Sequence, residues 1–164
     1  SYDQRFYWGV DNPKQLNDEP ILDKDGKDTG EIQTGLKTLW KAKQNDICNS
    51  LLGPSDWRVV RAAELGQAVA SAWLTYRGAV RSACNTRQSE IAAVTTVEAL
   101  KELFFGSAQI PKTKQQQQTD SDGKGVVDEN GKEVMVTVND LDSDGNIQLI
   151  ANPNLATAWP NTPT

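Results

Sequence analysis

The residues best suited to chemistry are carboxylates set in tight acidic turns. Asp140-Leu-Asp142-Ser-Asp144-Gly145, with Ile147, follows the first half of a calcium loop, in which alternate side-chain oxygens converge on the ion. Such a loop closes with a bidentate glutamate at its twelfth position, and here that position is Ala151. Helices should flank it, yet Val134, Val136 and Val138 alternate as a strand does. A solvated Asp-Gly turn is the better reading. Asp120-Ser-Asp122-Gly123 and Asp23-Lys-Asp25-Gly26 fit a calcium loop less well still. The chain has no histidine, which removes the commonest general base, a common metal ligand and every Ser-His or Cys-His nucleophile scheme. Its two cysteines, Cys48 and Cys84, form no Cys-x-x-Cys pair, so a thiolate zinc site is not expected. Both fall in helical stretches and read as buried reduced thiols, with a disulfide as the alternative. Carboxylates paired through space could hydrolyse a glycoside, but spacing singles out no pair. No phosphate-binding glycine loop occurs. No catalytic residue, metal or cofactor is therefore expected, and the chain does not read as an enzyme.

Charge narrows the partners. Lys and Arg number 17 against 22 Asp and Glu, a net charge of −5. Nucleic acid or an anionic membrane surface would call for clustered excess base, so neither is an expected partner. No run approaches the roughly 20 apolar residues that span a bilayer. Ser1-Tyr-Asp-Gln-Arg lacks a basic stretch leading into an apolar one, so no secretory signal is expected there.

The elements fall into three zones. Residues 1–33 read as an extended arm. Tyr2, Phe6, Tyr7 and Trp8 crowd its start, Pro13 and Pro20 hold the residues before them extended, and Asp25-Gly26 marks a hairpin over Asp23 to Ile32. An arm this aromatic has little of its own to pack against and is expected to dock on a partner. Residues 34–106 read as helical. Leu36, Leu39, Trp40, Ile47, Leu51 and Leu52 follow helical spacing until Gly53-Pro54 stops them. Ser55 or Asp56 should cap a second short helix ending at Gly66, and Ser71 a third that reaches Cys84, with an extension past Arg87 to Val94 open to it. Thr95-Thr-Val-Glu98 is a capping box for a fourth, Thr96 to Phe105, closed by Gly106. Residues 107–164 change composition: Gln115 to Gln118 reads as a linker. Val126-Val127, Asn130-Gly131 and the alternating valines read as a hairpin, and a proline-rich tail carries Leu155 and Trp159. The expected fold is mainly α, an antiparallel helical hairpin or small bundle, with an extended arm before it and a β-hairpin and extended tail after it.

Leu51 to Arg81 holds two tryptophans, a tyrosine and four arginines. Trp57, Trp73 and Tyr76 are expected to close the hairpin of the second and third helices, with Arg61 and Arg77 pairing with Asp56 and Glu64. Trp, Tyr and Arg are also the residues enriched at interface hot spots, so part of the surface is a candidate docking face. Leu51-Leu52, Ser55-Asp56-Trp57 and Trp73-x-x-Tyr76-Arg77-x-x-Val80-Arg81 resemble the small tail assembly chaperone domain of tailed bacteriophages. There a helix ends in Leu-Leu, a Ser/Thr-Asp-Trp turn follows, and a second segment carries Trp-x-x-Tyr-Arg-x-x-Leu-Arg. The resemblance covers about Leu39 to Arg81. It implies a tail-fibre-associated phage protein. The preferred expectation is a structural component of the tail (baseplate, fibre base or adaptor), made in the host cytoplasm and resident in the virion. Its partners would be other tail proteins, in multiple copies of a symmetric assembly. A soluble tail-fibre assembly chaperone is the alternative, and a cell-wall-degrading accessory enzyme the second.

Overall fold

Leu36 to Leu52 form helix α1, and Ser71 to Ala93 form α3. Hydrogen bonds between them join Lys37 to Ala92, Lys41 to Gln88 and Gln44 to Arg87. As one number rises the other falls, so the two helices run antiparallel. The computed structural model describes residues 1–164, in two units: residues 1–105 with 154–164, and residues 106–153. The mainly α expectation is overturned. Helix makes up 37% of the chain, and strand 23%, in four two-stranded sheets. Helical periodicity is local and legible in the sequence; the pairings of residues 109–111 with 149–151 and of 113–117 with 135–139 join segments far apart in the chain, which local pattern does not reveal.

In the first unit, β1 (Tyr7–Gly9) pairs with β2 (Asn12–Pro13), and β3 (Glu19–Leu22) with β4 (Asp28–Gln33). The second pair is the hairpin expected around Asp25-Gly26. The arm then caps α1. The Gln15 and Leu16 carbonyls accept from the Leu36 and Lys37 amides, and the Asp18 carboxylate accepts from the Gly35 amide and the Thr38 hydroxyl. Amides that a helix start leaves unpaired are thereby satisfied from the loop between β2 and β3. Gly35 is required here: a Cβ would lie 2.3 Å from the Asn17 carbonyl carbon. Gly53-Pro54-Ser55 is a single 3₁₀ turn leading into α2 (Asp56–Glu64), and α4 spans Val97–Phe105. The expected capping box of Thr95 and Glu98 does not form; the cap moves one residue on, to Thr96. Thr96 accepts from the Ala99 amide, but Glu98 accepts from the Tyr7 hydroxyl instead of reaching back along its own helix.

Two apolar clusters hold this unit. The first joins Phe6, Leu36, Trp40, Ile91, Val97, Leu100 and Leu103. The second joins Cys48, Tyr76, Val80 and Cys84, with Trp73 and Trp159 packed against it. The expectation that the arm has little of its own to pack against is therefore corrected. Phe6 is fully buried, its ring stacked 5.3 Å from that of Trp40.

The second unit is a branched set of hairpins. Strand β5 (Gln109–Pro111) pairs with β8 (Leu149–Ala151), and β6 (Thr113–Gln117) with β7 (Met135–Asn139), all antiparallel. Gln115 to Gln118, expected as a linker, is thus largely strand. Two three-way junctions split the chain paths. In one, the Gln118, Val126 and Val134 backbones form a closed ring of three hydrogen bonds: Gln118 donates to Val134, Val134 to Val126 and Val126 to Gln118. In the other, Lys112, Gln148 and Asp140 do the same. Single bridges at Thr119–Gly125, Val127–Glu133 and Leu141–Ile147 close three tips. The Val126-Val127 hairpin therefore exists only at its tip, because β7 leaves it to pair with β6.

Each tip repeats one turn. Asp120, Asp128 and Asp142 each accept, through Oδ1, from the amides two and four residues later, at 2.8–3.0 Å. Asp23 does the same in the first unit. A glycine three residues after the aspartate takes the left-handed conformation each time, at φ 76–82°, where a side chain would be strained.

Candidate docking site

The motif residues between Leu51 and Arg77 gather around one buried guanidinium. Pro54 cannot continue α1, so the carbonyls of its last turn need other donors. Arg77, buried on α3, donates from Nη1 to the Leu52 carbonyl at 2.9 Å and to Ser55 Oγ at 2.6 Å; its Nη2 lies 2.8 Å from the Asp56 carboxylate. The fully buried Ser55 donates to the same Leu52 carbonyl, and Tyr76 to that of Leu51. Ser55 is thus spent on the turn and gives α2 no side-chain cap; nor does Ser71 cap α3. Helices α1 and α3, not the second and third, form the packed pair, so Leu-Leu, Ser-Asp and Tyr-Arg meet across a helix end.

Trp57 does not close a core. It is half exposed, and only Trp73 and Tyr76 of the three aromatics join the second cluster, their rings edge to face at 5.8 Å. Arg58 bridges what the core leaves out: its guanidinium lies 4.6 Å from the Trp57 ring centre and 4.2 Å from that of Trp73. Trp57, Arg58, Arg61 and the loop Gln67–Ala70 line a cavity of about 170 Å³. Beside it, Trp57, Val60, Arg61, Glu64 and Leu65 line an open groove. Asp56 pairs with Arg77 as expected, whereas Arg61 and Glu64 form no ion pair, and Arg81 is exposed. Arg58 carried no weight in the sequence reading. Its position next to Trp57 was visible, but the approach of Trp73 across the turn was not.

The remaining candidate partner residues divide. Trp8 is 60% exposed, with the Lys14 ammonium 4.4 Å over its ring, and Tyr2 is also exposed. Phe6 is core, and the half-buried Tyr7 donates to Glu98 at 2.8 Å. That bond lowers the Glu98 pKa and raises that of Tyr7. Asp3 steadies the first turn, its carboxyl pulled down to about 2 by the Arg5 side chain that binds it. The tail is clasped to its own unit. Glu90 accepts from the amide and hydroxyl of Thr157, and Arg87 donates to the Thr157 carbonyl and lies 4.7 Å over the Trp159 ring. Leu155 is half buried. Trp159 thus has an intramolecular seat, contrary to the expectation of a tail that docks on a partner.

The sites suited to chemistry are engaged elsewhere. Asp140 pairs with Lys112 and Lys114, and Asp142 holds backbone amides, which lowers its pKa. No group of three or more His, Cys, Asp or Glu lies together as a metal site. Cys48 and Cys84 are free, buried thiols; burial, then the hydrogen bond to Cys84, pushes the Cys48 pKa up. No helix is long and apolar enough to cross a membrane. No family model matches the chain, and no curated protein or solved structure proved similar to it.

Proposed function

We propose that this protein is a structural component of a bacteriophage tail, at the baseplate, fibre base or an adaptor, working through protein–protein contacts. One observation carries the protein-contact part: in residues 106–153 the only buried residue is Asn152. Val127, Met135, Leu141, Ile147 and Leu149 stand exposed on strands and tips there. Two-stranded hairpins are marginal in water by themselves and gain stability when a hydrophobic face is covered. A neighbouring subunit in an assembly supplies such cover. The phage context rests on the motif resemblance, whose residues here build a helix-end clasp rather than a reaction centre. The test is quantitative mass spectrometry of purified particles. A fixed copy number per particle is expected. Presence in infected-cell lysate but not in particles would favour the assembly-chaperone reading instead.

A further inference from the structure

We propose that the cavity between Trp57, Arg58, Arg61 and the Gln67–Ala70 loop is a carboxylate-binding site, taking an acidic side chain of a partner peptide with an apolar residue beside it. Arg5, Arg77 and Arg87 are committed to partners within the chain: Asp3, Asp56 and Thr157 with Gln44. Arg58 and Arg61 form neither an ion pair nor a hydrogen bond, in a chain whose acids outnumber its bases by five. Arg58 is half buried and donates no hydrogen bond, while its guanidinium carbon lies over both indole rings, 4.6 Å from the Trp57 centre and 4.2 Å from the Trp73 centre. A guanidinium positioned this way has lost side-chain entropy before any ligand arrives, and its free edge matches a carboxylate with two parallel hydrogen bonds. Arg61, lining both the cavity and the adjoining groove, adds a second positive charge. The groove is lined by Trp57, Val60 and Leu65 together with Arg61 and Glu64; its apolar walls suit an apolar residue next to the carboxylate. Charge complementarity thus selects an acidic peptide. Nucleic acid also offers anions and stackable rings, but the net charge of −5 opposes a polyanion, whose affinity comes from many phosphates at once. The inference holds for whichever assembly the chain joins and does not depend on the phage-tail reading.

The test is to pan a displayed library of random 12-residue peptides against the full chain, then measure binding of the enriched peptides by fluorescence anisotropy. Enrichment of Asp or Glu next to an apolar residue is expected. Changing that Glu to Gln in the peptide, or Arg58→Gln in the protein, should each weaken binding roughly tenfold to a hundredfold, the loss of one charge-assisted contact. Thermal melting checks that Arg58→Gln stays folded; if it does not, the Glu-to-Gln peptide on the unaltered chain carries the decision. Enrichment without acids, indifference to the peptide Glu, or tighter binding of a fluorescein-labelled oligothymidylate than of any peptide would overturn the proposal. Failure here leaves particle composition untouched, so it is distinguishable from failure of the tail assignment.

Discussion

Replacing Phe6 by alanine decides whether the N-terminal arm belongs to the folded unit or waits for a partner. The side chain is fully buried, stacked 5.3 Å from Trp40 and edge to face with Phe105 at 5.9 Å. The guanidinium of Arg5 lies 3.7 Å over that Phe105 ring and closes the cluster from outside. A buried Phe→Ala change costs about 3–5 kcal/mol, the loss of transfer energy and the cavity together. Each aromatic pair contributes about 0.5–1.5 kcal/mol of specific geometry within that range. A domain of this size has about 5–15 kcal/mol in all, so the variant should lose roughly a fifth or more of its stability. The Tm should fall by roughly 10–20 °C. Trp8→Ala, two residues away but 60% exposed, should change stability by no more than about 0.5 kcal/mol. Urea unfolding followed by circular dichroism at the helical band measures both. A Phe6→Ala midpoint indistinguishable from that of the unaltered chain would refute the placement of the arm in the core.

Arg77→Lys cannot reach Leu52, Ser55 and Asp56 at once and should destabilise by about 2–3 kcal/mol in the same urea experiment. Asp56→Asn should cost less than about 1 kcal/mol, because the Asp56 side chain is 61% exposed. The Asp3 carboxyl is depressed from 3.8 to about 2; its contribution is therefore complete above pH 4 and lost as pH falls through 2. A melt series from pH 6 to 2 should show a decline below pH 4 that is smaller in Asp3→Asn, and carboxyl NMR titration should place the midpoint near 2. Glu90→Gln weakens the grip on Thr157, and hydrogen exchange at the Thr157 amide should speed up while amides in the middle of α3 keep their protection. Gly131→Ala forces a side chain into φ +76° and should loosen the Asp128–Lys132 tip, seen as lost NMR dispersion there with β5–β8 pairing intact.

Helix boundaries were legible where a residue chemically forbids continuation. Gly53-Pro54 ends α1 at Leu52, and Gly66, at φ +63°, follows α2. The hairpin at Asp25-Gly26 was equally local. What escaped was set at long range. Phe6 finds Trp40 across 34 positions, and its burial has no periodic trace in an arm of irregular composition. Gln115 to Gln118 looked like a linker because it is a run of one polar residue, yet Thr137, Val136 and Met135 of β7 pair with Gln115, Gln116 and Gln117. Ser55 looked like a helix cap and is one of the residues the Arg77 guanidinium binds, a role that depends on a residue 22 positions later. The repeated Asp-x-Asp/Asn-Gly turn was written in the sequence four times. It was read as scattered acidic turns because the common hydrogen-bond pattern becomes visible only with the backbone. In the candidate site, Trp57 and Trp73 could be named in advance, but their joint hold on Arg58 required the turn between them to be folded.

The clasp between Arg87, Glu90 and Thr157 has a consequence for synthesis. The first unit is interrupted after Phe105 and resumes only at Asn154. A ribosome adding about 5–20 residues per second needs about 3–11 s to travel from Phe105 to Trp159. Through that interval α1, α3 and α4 already exist as chain, while Tyr76, Val80 and Cys84 await the indole that will lie against them. Completion of this unit therefore waits until residues 154–164 have been synthesised. A stop codon anywhere between the two segments would leave a product with its second cluster uncovered and prone to capture by chaperones or proteases.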